Sequence, residues 1–169
     1  MTQQSTNDPL HAFHIDVARA EIAGKNAAIH AYDSMMWRVR SGYLTLLFAA
    51  WGYILGGALG KDANIALIHR VTLSMLVISI GLALAGLLVD LNLKKRKFRV
   101  IASLNKLYAA LWHGVLDSSV QGELRVAGDS GGESYAQVAG YSSSRNLLFI
   151  IYGIPVALVA VGLYLAGLF

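Results

Sequence analysis

The sequence predicts an all-α integral membrane protein with three transmembrane helices, a cytoplasmic N-terminal helix and a long second helix that extends into the cytoplasm. Three observations carry that expectation. First, the runs Tyr43–Leu59, Val71–Val89 and Leu147–Phe169 contain no Asp, Glu, Lys, Arg or His, and about 20 apolar residues suffice to cross about 30 Å of hydrocarbon. Second, hydrophobic residues form 56% of the 169-residue chain and charged residues 14%, against a usual charged share of about 25%. The mean hydropathy is +0.52. Third, the basic residues are segregated. Twelve of the fourteen lie before the first apolar run or after the second, and only Lys61 and Arg70 lie between them. Cytoplasmic loops carry such an excess of Lys and Arg, so both flanks are expected inside.

Composition also excludes. There is no cysteine, hence no disulfide, thiolate nucleophile or cysteine-ligated metal. The net charge of +4 is no signature of nucleic-acid binding, because the positions of the charges mark topology.

In chain order, residues 1–9 are polar and expected to be disordered. Residues 10–41 read as a cytoplasmic amphipathic helix. Ile15, Ile22, Ile29 and Met36 recur every seven residues, with Ala18, Tyr32 and Val39 between them and Lys25 breaking the pattern. Such a seam suits a partner helix or the chain's own cytoplasmic helix, and the spacing does not choose. No run of signal-peptide length precedes Tyr43, so the first span is expected to insert the chain and keep its N-terminus. His11, His14 and His30 lack a completing carboxylate or histidine set and read as solvent-facing. Trp37, Arg38 and Arg40 suit the membrane interface on its cytoplasmic side.

Residues 42–60 read as transmembrane helix 1, 61–70 as an external turn and 71–93 as transmembrane helix 2. The second helix continues through the basic run Lys94-Lys95-Arg96-Lys97, placed at the headgroups, into a cytoplasmic extension over 94–118. No Pro or Gly interrupts Leu87–His113, so one helix is expected from about Arg70 to Asp117. The basic run reads first as a topology signal and second as a binder of anionic lipid.

Residues 119–146 are rich in Gly and Ser and read as a cytoplasmic loop. Gly128-Asp129-Ser130-Gly131-Gly132 looks like the active-serine stretch of trypsin-like proteases. Those enzymes are two-barrel β proteins with a histidine and an aspartate far upstream, so the match is a coincidence in a helical chain. No Gly-Lys-Ser/Thr follows to make a phosphate loop. Residues 147–168 form transmembrane helix 3, with Pro155 expected to bend it. Three spans place the C-terminus outside.

The spans carry no ionisable group of the kind that ion-coupled carriers and pumps use. They carry small residues at helical spacing instead: Gly52, Gly56 and Gly60; Gly81 and Ala85; Gly153 and Ala157. Such faces let helices approach closely, which points to helix packing and a homo-oligomer. No cofactor or metal site and no catalytic cluster is expected, so the chain reads as a non-enzyme. Its expected partners are membrane lipid, further copies of itself and a cytoplasmic protein, not nucleic acid.

A cytoplasmic helix entering a hairpin through Trp37-Arg38-Val39-Arg40, followed by a long helix, resembles the SLATT-like small membrane effectors of bacterial nucleotide-signalling defence systems. The likeness covers about Ala31–Val115 and lies in layout and hydropathy. The third span departs from that family's two-span pattern. The resemblance implies an oligomer in the bacterial inner membrane, channel-like or membrane-perturbing, that responds to a signal on its cytoplasmic part. The other reading of the same features is a passive anchor or assembly subunit that recruits a cytoplasmic partner.

Overall fold

The computed structural model describes residues 9–58, 65–112 and 133–165. They form three α-helices: α1 (Pro9–Ala58, 50 residues), α2 (Ile65–Trp112, 48 residues) and α3 (Tyr141–Leu165, 25 residues). A short 3-10 turn, Glu133–Gln137, precedes α3. No strand occurs among the described residues.

α1 opens on Pro9, where the missing N–H costs nothing because first-turn donors lack helical partners. No later proline interrupts it, so 10–41 and 42–58 are a single helix rather than two elements. α2 is likewise unbroken and begins at Ile65, inside the stretch expected as a turn. Its expected last turn, 113–117, lies outside the described residues, as do 119–132. α3 begins at Tyr141, six residues before Leu147. Two backbone bonds shape its entry, from Val138 N–H to Tyr135 C=O and from Tyr141 N–H to Val138 C=O, both 3.2 Å. Gly140 between them has φ +84°, a left-handed conformation that a side chain disfavours.

The chain divides into two units. One comprises Met1–Ser34 and Leu93–Tyr141; among its buried residues are Ala18, Glu21 and Lys25 of α1 and Val100, Ser103 and Leu107 of α2. The isoleucine seam is therefore displaced. Ile15, Ile22 and Ile29 are only half-buried, and the position expected to break the pattern, Lys25, is 1% exposed. Lys25 can sit there because it finds polar partners on its own helix and on α2.

The other unit comprises Met35–Asn92 and Ser142–Phe169. Its core joins Tyr43, Leu47, Trp51 and Ile54 of α1, Ala83 of α2, and Leu148, Tyr152 and Leu163 of α3. Among the described residues two helices, not three, are long and apolar enough to cross a membrane, Ile68–Ala109 and Tyr141–Tyr164. Only 17% of the most apolar stretch of each candidate span is buried, and large apolar side chains such as Phe48, Val77, Leu88 and Leu158 point outward.

Among the described residues, the small residues singled out from the sequence make no close helix contact. A Cβ added at Gly52, Gly56, Gly81 or Gly153 would meet nothing within 4 Å, and Ala85 and Ala157 are exposed. Gly60 lies outside the described residues. Among the described glycines the close approach is at Gly86, where a Cβ would stand 2.7 Å from the Tyr152 ring.

Candidate functional site

In the unit that carries the candidate spans, Met36, Arg40, Tyr43, Leu47, Trp51 and Ile54 follow one another along α1 in steps of three and four. That spacing puts them on one face. On α2 the inward face carries Thr72, Ser79, Ala83 and Asp90. An arginine and an aspartate thus stand on inward faces of two neighbouring helices.

They meet as a two-pronged ion pair. Arg40 Nε donates to Asp90 Oδ2 at 2.6 Å and Nη2 to Oδ1 at 3.0 Å, the fork geometry in which guanidinium and carboxylate bind most strongly. Asp90 is 0% exposed and the Arg40 side chain 25%. The hydroxyl of Tyr152, on α3, donates to Asp90 Oδ2 at 3.3 Å. Tyr43 donates to the Tyr152 carbonyl at 3.0 Å, and the two rings pack with centroids 4.9 Å apart. That carbonyl lies one residue after Ile151, whose own helical donor is missing because Pro155 has no N–H. The network therefore ties all three helices together at one level. A second tie, Trp51 Nε1 to Ser79 Oγ at 3.0 Å, joins α1 to α2 further along. Ser79 in turn donates to the Met75 carbonyl at 2.7 Å.

Burying a carboxylate and a guanidinium is costly in itself, and replacing such pairs by apolar residues is often neutral or better. What the pair supplies is register and a definite partner choice. Asp90 directly follows the uncharged run Val71–Val89, and its side chain is fully buried. Gly86 and Tyr152 were not singled out from sequence; Tyr43 was read as an interfacial residue and Asp90 as the point where the second span leaves the bilayer, neither as part of this network. A signal existed: Arg40 with Asp90, Trp51 with Ser79, Asp33 with Lys97 and Lys25 with Ser103 are separated by 50, 28, 64 and 78 residues. In the second unit both pairs, Arg40 with Asp90 and Trp51 with Ser79, have the same midpoint in sequence, as antiparallel neighbouring helices require.

The other unit holds its own polar contacts. Lys25 Nζ lies 3.1 Å from Glu21 Oε1 and donates to Ser103 Oγ at 2.9 Å, all three groups buried. The basic run is divided in its roles. Lys94 is 3% exposed and donates to the Tyr141 carbonyl at 2.6 Å. Lys97 pairs with Asp33 at 2.6 Å. Lys95 faces the Tyr135 ring at 5.6 Å, and Arg96 is exposed. Of the other residues expected at the interface, Trp37 is 69% exposed and Arg38 is also exposed. Met36, the last residue of the seam, is buried and contacts Arg40, its sulfur 3.8 Å from Nη2. No family model matches the chain, and neither a curated protein nor a solved structure matches it. Among the described residues no three of His, Asp and Glu are grouped so as to hold a metal.

Proposed function

We propose that the chain is an integral membrane protein of the bacterial inner membrane that acts without catalysis, as an oligomeric membrane effector controlled through its cytoplasmic helices. The observation that carries the membrane part is the apolar outer surface of the second unit: large aliphatic and aromatic side chains cover its outside, while an ion pair and hydroxyls lie inside beside the apolar core. A helix of similar composition in a water-soluble core would be mostly buried. The 42–58 part of α1 shares the core of the two candidate spans and turns Leu46, Phe48 and Tyr53 outward, so it is read as the third rod in the same lipid layer.

Control is supported by continuity. α1 and α2 each supply residues to both units without a break. Oligomerisation is supported by Gly52, Gly56, Gly81, Ala85, Gly153 and Ala157, small residues that stay exposed among the described residues. Two apolar grooves of about 390 and 460 Å³ flank α3, the second bordered by Gly153 and Ala157. The layout shared with SLATT-like effectors agrees with this reading.

Purified protein in sealed vesicles is expected to release a trapped dye, and the detergent particle to weigh a multiple of 18.2 kDa. Vesicles that stay sealed under every condition overturn the effector reading. A single copy bound to one foreign cytoplasmic protein favours the anchor reading, which the outward-facing Phe13 and Trp37 also accommodate.

A further inference from the structure

We propose that Lys95, Arg99 and Tyr135 form a binding site for an anionic phosphate group, presented by an anionic phospholipid. The proposal rests on the membrane reading for its lipid source and on local geometry for its chemistry. Lys95 and Arg99 are four residues apart on α2, so they share a face. Both converge on the same ring: Lys95 Nζ stands 5.6 Å and Arg99 Cζ 5.5 Å from the centroid of Tyr135. Two like charges at this spacing repel, yet neither has a carboxylate partner among the described residues. Their neighbours differ. Lys97 is neutralised by Asp33, and Lys94 is spent on the Tyr141 carbonyl and the Tyr141 ring at 4.7 Å.

The ring holds the two cations in place. Tyr135 packs edge-on against Tyr141 at 5.3 Å, and Tyr141 against Phe98 at 5.2 Å. The electron-rich face of Tyr135 attracts both cations and fixes them side by side. A phosphate lying against the pair gains two charge-assisted contacts and cancels their repulsion. All three side chains are half-buried, which leaves each an open side. Tyr141, the middle ring of these three, is also the first residue of the candidate span Tyr141–Tyr164. Phosphate headgroups lie where such a span begins.

The test uses the full chain in detergent micelles, titrated in separate arms with phosphatidylglycerol, phosphatidylcholine and inorganic phosphate, and read by thermal shift. Phosphatidylglycerol is expected to stabilise saturably, more weakly as salt is raised, and phosphatidylcholine not to. The Lys95→Gln/Arg99→Gln double variant should lose about thirtyfold in apparent affinity, each basic residue near an anionic surface being worth about fivefold. Tyr135→Leu should weaken binding while leaving both charges, and Lys95→Arg, which keeps the charge, should retain it. Circular dichroism of each variant verifies that the helices remain. Equal response to both lipids, or wild-type affinity in the double variant, overturns the site. Inorganic phosphate that saturates the same residues as tightly as the lipid upholds the anion chemistry and overturns the lipid source. Alkaline extraction of native membranes separates the two failures: a chain released into the supernatant sinks the membrane reading, while the phosphate arm still decides the site.

Discussion

At the scale of single residues, Asp90 is the most consequential side chain of the second unit, because it receives Arg40 and Tyr152 from two other helices. Asp90→Ala leaves a guanidinium without its counter-ion, and removing one partner of a buried pair costs about 3–5 kcal/mol. Thermal unfolding in detergent should show that loss, and the double change Arg40→Met/Asp90→Leu should recover most of it. A double variant no more stable than Asp90→Ala would show that the pair supplies stability and not merely register. Gly86 and Gly81 make a matched pair. Gly86→Ala drives a methyl against a Tyr152 ring held by its own hydrogen bond, and overpacking of this kind costs about 1–3 kcal/mol. Gly81→Ala meets nothing among the described residues, so in detergent dilute enough to hold the chain as a monomer it should unfold with the wild type. Equal melting of the two variants would dismiss the close helix contact. The sequence showed which glycines have helical spacing. It did not show which one faces a tyrosine, since that depends on the rotation of two helices about their own axes.

At the scale of elements, the helices were legible and their seams were not. Long proline-free stretches and apolar periodicity place α1, α2 and α3 correctly, with the starts of α2 and α3 displaced by several residues. The heptad of isoleucines pointed to one face of α1, while the buried face is shifted by three residues to Ala18, Glu21 and Lys25. A lysine looks like a break in a seam until Glu21 and Ser103 are seen beside it. The prediction at this scale is that Lys25→Ala, which strands a buried Glu21 carboxylate, destabilises the first unit by about 3–5 kcal/mol, whereas Ile22→Ala at a half-buried position costs less. Hydrogen exchange along 15–34 reads the difference. Faster exchange in the isoleucine variant than in the lysine variant would restore the seam as the packing face.

At the scale of the whole molecule, the number of spans decides where the ends lie. With the 42–58 part of α1 counted, three rods separate the termini across the membrane; with Ile68–Ala109 and Tyr141–Tyr164 alone, both termini face the same side. Compartment-sensitive reporters fused to the two ends are expected to respond from opposite compartments. The same compartment at both ends would remove α1 from the bilayer. Helix content, the apolar character of α2 and α3 and the segregation of basic residues followed from sequence alone, because each is a property of one stretch of chain and its preferred solvent. The partners of Arg40, Lys25, Lys94 and Lys97 were decided only by the tertiary structure. A long charged side chain can turn to water, lipid or protein, and only the neighbouring helix, in its particular register, determines which of them it meets.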